Sequence, residues 1–186
     1  MAWQEDETFW AGAPKLGGNG WPETWKNGVV YDLNAARLNL RPSVGIFKSP
    51  WDAMQTAHPR VVVAESTMDY LVLSNADPVA AQVSLLGMFR DAPAPNVPCV
   101  WEDGTPNLVC DDGTVGRTPP AWGGPLVSIL SIYRRRGDVS WLSERYPYLQ
   151  QYVEFWLANR SLADGHQTCR CSWECGQDDE PRWGWT

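Results

Sequence analysis

The stretch Trp173-Glu174-Cys175-Gly176-Gln177-Asp178-Asp179-Glu180-Pro181-Arg182-Trp183 gathers four carboxylates, one guanidinium and two indoles around a single glycine. Gly176 permits a sharp turn or a close backbone approach to a ligand. Asp178, Asp179 and Glu180 are adjacent, and neighbouring anions repel, which favours keeping a proton on one of them. A carboxyl that holds its proton in the shelter of Trp173 or Trp183 is what general-acid catalysis requires. Arg182 offers a fork of donors suited to ligand hydroxyls. Acids and a guanidinium at the edge of a ring, with indoles against its flat face, fit a sugar. The same acids also fit a solvated turn, and a calcium loop would need more oxygen ligands at regular spacing.

Other clusters suggest other chemistry. His166, Cys169, Cys171 and Cys175 bring four soft ligands into ten residues, a zinc-like grouping outside the common paired-knuckle spacings. Five cysteines cannot all pair with one another, so free buried thiols or one local disulfide are the competing expectation. Arg134, Arg135 and Arg136 precede Gly137 and suit the negative end of a helix better than a phosphate site. His58, before Pro59, reads as a loop histidine. The spacings support no Ser-His-Asp or Cys-His set, and no phosphate-binding glycine loop occurs.

Composition narrows the class. The formal charge of −7 argues against a general nucleic-acid binder, whose partner demands a positive surface. No apolar run approaches the ~20 residues of a membrane helix. The acidic start, Met1 to Glu7, lacks the basic and apolar blocks of a secretory signal, so a cytoplasmic location is expected if that start is natural. Twelve tryptophans are a large excess, expected to divide between the core and a ligand cleft.

The elements that must position these groups are expected to be helices. Residues 1–48 are dense in Trp, Gly and Pro and read as an irregular segment, with a short helix at 34–40 and an extended piece at 43–48. Val61, Ala64, Met68, Leu71 and Val72 mark a helix that Asn75 stops. Asp77 and Pro78 restart one, with Val79, Val83, Leu86 and Phe89 on its inner face, so the two form a hairpin. A long loop covers 91–124. Pro125 opens a third helix, apolar on nearly all sides and hence expected to be deeply buried, which Gly137 ends. Leu149, Tyr152, Val153 and Trp156 mark a fourth, and a second loop, 161–173, leads into the closing motif.

The closing motif resembles the Glu-Ser-Gly-x-Asp-x-x-x-Arg signature of the inverting α-glycosidases of glycoside hydrolase families 63 and 37, and is more similar to the family 63 form with its Gly-x-Asp-Asp-x-Pro-Arg core. Residues 49–54, "SPWDAM", resemble the Trp-Asp element of the family's sugar pocket, and residues 118–160 resemble its Pro-Pro-led helix, Gly-Asp turn and following helix. Cys175 and Thr118 stand where the family usually has Ser and Gln, and Glu180 replaces a smaller or aromatic residue.

The resemblance implies an all-α, (α/α)6 toroid with long loops at the mouth of the site, and residues 49–186 as the first part of that catalytic domain. It implies Asp178 as general acid, Asp52 and Arg182 as holders of sugar hydroxyls, and Trp51, Trp173 and Trp183 as walls, with Glu174 and Asp179 supporting them. The implied partner is an oligosaccharide or glycoside, with no cofactor and no metal. Two readings compete: a non-catalytic carbohydrate-binding helical domain, and a metal-stabilised module on the His-Cys cluster. Inversion needs a second carboxylate roughly 6.5–9.5 Å from the first. In the family that base lies far downstream, so the chain is expected to be about the first half of a barrel. The 186-residue chain is therefore expected to release no sugar from aryl or disaccharide α-glucosides, and a version extended through the rest of a barrel to release it; robust hydrolysis by the short form contradicts this expectation.

Overall fold

The computed structural model describes residues 2–54, 59–92, 99–106, 109–110, 112–115, 124–170 and 174, with side chains from Glu7 onward. It is mostly helical, about 57% of residues, in six helices among the described residues. These are α1 (Ala2–Gly12), α2 (Glu23–Asn39), α3 (Val63–Leu73), α4 (Pro78–Asp91), α5 (Gly124–Arg136) and α6 (Val139–Asn159). Among the described residues, four two-residue strands pair antiparallel: β1 (Leu40–Arg41) with β2 (Trp51–Asp52), and β3 (Arg60–Val61) with β4 (Val100–Trp101). None of these helices is long and apolar enough to cross a membrane.

The N-terminal segment is not irregular, which corrects the expectation for residues 1–48. It holds α1 and the whole of α2, a helix of 17 residues where a short one was expected at 34–40. Gly28 and Asn27 are poor helix formers, Gly costing about 1 kcal/mol relative to Ala. Tertiary packing overrides that cost. Leu33 and Ala36, three apart, bury one stripe of α2, and α2 lies against α3. Arg37 adds a cation–π contact 4.8 Å above the Phe9 ring of α1.

The helix punctuation in the sequence acts as its chemistry dictates. Asn75 Nδ2 donates to the carbonyls of Leu71 and Val72, covering orphan acceptors at the end of α3. The Asp77 carboxylate accepts from Ala80 N–H at 2.9 Å, and Pro78 follows at the first position of α4. Asp138 does the same for α6, accepting from Trp141 N–H at 3.0 Å. Gly137 takes φ +64°, the left-handed turn that ends α5. Arg135 reaches from α5 to the end of α3, donating to the Leu71 carbonyl at 3.2 Å and to Ser74 Oγ.

Three inner faces differ from the sequence pattern. Met68 of α3 is exposed, and the helix buries Val63, Ala64, Thr67, Tyr70 and Leu73 instead. On α4, Val79 and Val83 are exposed, and the helix buries Ala81, Gln82 and Ser84 ahead of the run from Leu85 to Phe89. On α5, Val127 and Leu130 are exposed, so the helix is buried on one side only, through Ser128, Ile129 and Ile132.

The core joins these faces. α3 packs on α2, α4 and α5, and α6 packs on α4 and α5. Trp141, Tyr152 and Trp156 of α6 fill the space with Phe89, and β2 lies across α3 and α4. Gly45 shows how closely the first hairpin approaches the long loop. At φ +57° it already favours glycine, and a Cβ there would stand 1.9 Å from the Glu102 carbonyl oxygen. Gly165 also has positive φ, +86°, with nothing within 4 Å of an added Cβ. Left-handed strain alone costs about 1–2 kcal/mol for an L residue. Gly165→Ala is expected to lose about that much in chemical denaturation, and Gly45→Ala clearly more; equal losses contradict the close-approach argument.

Candidate functional site

Asp52 is set by a short hairpin. As the chain leaves α2, Leu40 pairs with Asp52 and Arg41 with Trp51. Ala53 N–H closes back on the Asn39 carbonyl at 2.9 Å. Trp51 pins the turn: its indole is 1% exposed, stacks on Phe47 at 4.5 Å, and donates from Nε1 to the Pro42 carbonyl at 3.1 Å. That corrects the expectation that Trp51 walls a ligand cleft. With one face on Phe47 and the rest enclosed, the ring has no surface left to stack on a sugar.

Asp52 is likewise 1% exposed. Its N–H donates to Tyr70 Oη at 2.8 Å, and its Oδ1 accepts from Met54 N–H at 2.6 Å. Oδ2 meets no N–H or hydroxyl donor among the described residues. Asp69 on α3 acts on this carboxyl through its charge and a side-chain hydrogen bond. Two ionised carboxylates have no hydrogen to share, so this contact is a hydrogen bond only when one of them carries a proton. Asn39 Nδ2 donates to Asp69 Oδ2 at 3.0 Å and fixes the orientation of that second acid. Glu65 lies one turn before Asp69 on the same helix face and adds a third negative charge.

Asp52 therefore titrates far from the ordinary range. Burial, the first cause, then the charge of Asp69, the hydrogen bond to Asp69 and the charge of Glu65 push it up to about 8, against the opposing bond from Met54 N–H. At neutral pH Asp52 is a neutral acid able to donate. Burial first, then the charge of Asp52, also pushes the Tyr70 hydroxyl well above its usual range.

Glu174 marks the second part of the site. It is fully buried, and Arg160 grips it with two bonds, Nη2 to Oε1 at 2.8 Å and Nε to Oε2 at 3.1 Å. Arg170 N–H adds a third at 2.7 Å to Oε2. Arg160 ends α6 and lies 5.6 Å over the rings of Phe155 and Trp156. The intervening loop is folded on itself. Thr168 N–H bonds the Arg160 carbonyl at 2.7 Å, and Leu162 N–H bonds the His166 carbonyl at 2.8 Å. The head of the closing motif is thus tied to the end of α6 by a buried, bidentate ion pair. Trp173, Asp178, Asp179, Arg182 and Trp183 lie outside the described residues, as does His58.

Sequence reasoning missed Asp69, Glu65, Asn39 and Arg160. The signal for the first two was present: acids four apart in the helical stretch Val63–Leu73. Asn39 and Arg160 stand 30 residues before Asp69 and 14 before Glu174, and nothing local announces either pairing.

The metal reading of the cysteine cluster is overturned. Cys110 and Cys169 are both disulfide-bonded, so Cys169 has no thiolate to give zinc. His166 is exposed and turned to Asp164 at 3.1 Å. Cys99 is buried. Among the described residues no group of three His, Cys, Asp or Glu side chains is placed to hold a metal ion.

No family model matches the chain, and neither a curated protein nor a solved structure matches it.

Breaking a buried ion pair by removing one partner costs about 3–5 kcal/mol, because the other charge is left stranded. Glu174→Ala and Arg160→Ala are each expected to destabilise on that scale. The double variant is expected to lose much less than the sum. A denaturation cycle in which the two losses add contradicts the pairing.

Proposed function

We propose that this chain belongs to the catalytic domain of an inverting α-glycosidase of the family 63 type, built on an (α/α)6 toroid and acting on α-linked glucosides or related oligosaccharides. Asp178 is the general acid that protonates the leaving glycosidic oxygen. A second carboxylate, which the resemblance does not place within these residues, activates water on the opposite face of the sugar. Arg182 holds hydroxyls of the first sugar, while Asp52, expected to hold them too, is as enclosed as Trp51 and stands behind the site. Trp173 and Trp183 lie against its ring, with Asp179 and Glu174 behind them.

The observation that carries this reading is the Arg160–Glu174 pair. It anchors the motif just ahead of Asp178, in a buried position where a flexible acidic tail would have no reason to spend a bidentate arginine. Preorganised acids are what a proton-donating site needs, since groups held in place cost no reorganisation during reaction. The exposed apolar residues Val79, Val127, Leu130 and Leu157 on α4, α5 and α6 fit helical hairpins that continue into a ring. The disulfides at Cys110 and Cys169 favour an oxidising compartment over the cytoplasm.

The test is binding rather than turnover. Tryptophan fluorescence is followed while glucose, mannose, trehalose and an aryl α-glucoside are added in turn. Saturable binding of at least one is expected. Asp178→Asn is expected to keep it, since proton transfer is not needed to bind, and Arg182→Ala to weaken it about tenfold, or about 1.4 kcal/mol. No saturable response to any of the four, or undiminished affinity in Arg182→Ala, overturns the proposal.

A further inference from the structure

The junction between β2 and α3 has a chemical peculiarity that does not depend on sugar. A strand residue and a helix residue meet through two carboxyls, one of them enclosed and with no N–H or hydroxyl donor at its outer oxygen among the described residues. The other, Asp69, is half-buried and held in place by Asn39. We propose that Asp52 and Asp69 share one proton and act as a pH-sensitive latch, closed when the proton is present and forced apart when it leaves.

From α3 come Asp69, Glu65 and Tyr70, of which the two acids add negative charge and the Tyr70 hydroxyl is occupied by Asp52 N–H. Just after β2, Met54 N–H covers Oδ1 alone. Arg41 of β1 and Arg60 of β3 belong to neighbouring strands, and the Nε of each is buried without a hydrogen-bond partner among the described residues. On α4, Arg90 and Asp91 pair with each other at 2.7 Å. Loss of the shared proton leaves anions side by side, and the cheapest relief is to lift the β1–β2 hairpin from α3 so that water can enter.

The pH window follows from linkage. Asp52 loses its proton near 8 in the folded chain, against an ordinary 3.8. The folded state binds that proton more tightly than the unfolded one. The stability it confers is complete below the ordinary value, drains as pH rises, and is gone above the folded value. Asp103, Asp112, Asp138 and Asp164 shift the other way, held below 3.8 by hydrogen bonds from nearby backbone and side chains, so their changes are over before the window that tests Asp52.

The experiment is thermal unfolding of the full 186-residue chain from about pH 5 to about pH 9, in wild type, Asp52→Asn and Asp69→Asn. Wild type is expected to lose Tm steadily up to pH ~8 and to level off beyond it. Asp52→Asn, whose amide donates to Asp69 without titrating, is expected to lack that slope. Asp69→Asn removes the repelling charge but not the burial and is expected to keep a shallower one. Amide exchange gives the local readout: protection at Ala53 and Met54, corrected for the intrinsic rate, is expected to fall above pH ~8 in wild type and to hold in Asp52→Asn. A flat wild-type profile, or the wild-type slope persisting in Asp52→Asn, overturns the latch. Should Asp52→Asn not fold, a slope in Asp69→Asn as steep as in wild type overturns it equally.

Discussion

The fold around the candidate site depends on a carboxyl that the protein keeps away from water. Ionised and alone, an enclosed aspartate would cost several kcal/mol. Asp52 avoids most of that by staying protonated, and the proton is useful because Asp69 is there to receive it. This contact, with Tyr70 and Asn39, makes the two-residue strand β2 a fixed part of the structure. Strands that short have little stability of their own, and β2 is held by what its side chains reach. Trp51 points into the core and stacks on Phe47, while Asp52 meets α3, so one dipeptide fastens the hairpin twice.

A second fastening acts at the other end of the described chain. Arg160 closes α6, and its two bonds to Glu174 set where the closing motif begins. Helix end, folded loop and buried glutamate form one mechanical unit, to which the disulfide-bonded Cys169 belongs by position. The two fastenings share a logic. Each uses a buried acid, which is costly unless matched, and each is matched by a partner distant in sequence. Such groups tolerate little displacement, which is the property wanted in residues that frame a site.

What the sequence made legible was local. Asp77-Pro78, Asp138 and Gly137 announced helix boundaries because capping and left-handed turns are decided within a few residues. The hairpin of α3 and α4 followed from those signals. Periodicity fared worse where solvent and neighbours decide the outcome, as at Met68, Val79 and Val127, apolar residues left outside because no described helix covers them. Helix α2 was hidden by Asn27 and Gly28, whose poor propensity is outweighed by packing on α3. Trp51 looked like a ligand wall because its residue type suits either role, and only its contact with Phe47 decides. Four cysteine and histidine positions looked like zinc ligands for the same reason, until the disulfide at Cys169 removed one. The acids of α3 carry no meaning until β2 is laid across them.

The most direct measurement is of the proton itself. A carbon-13 NMR titration of the Asp52 side-chain carboxyl, assigned by comparison with Asp52→Asn, reads its protonation without reference to stability or ligand. The account predicts a midpoint near pH 8. A midpoint at the ordinary aspartate value of 3.8 would mean a solvated, ionised Asp52, and would contradict the buried carboxyl pair on which the description of the site rests.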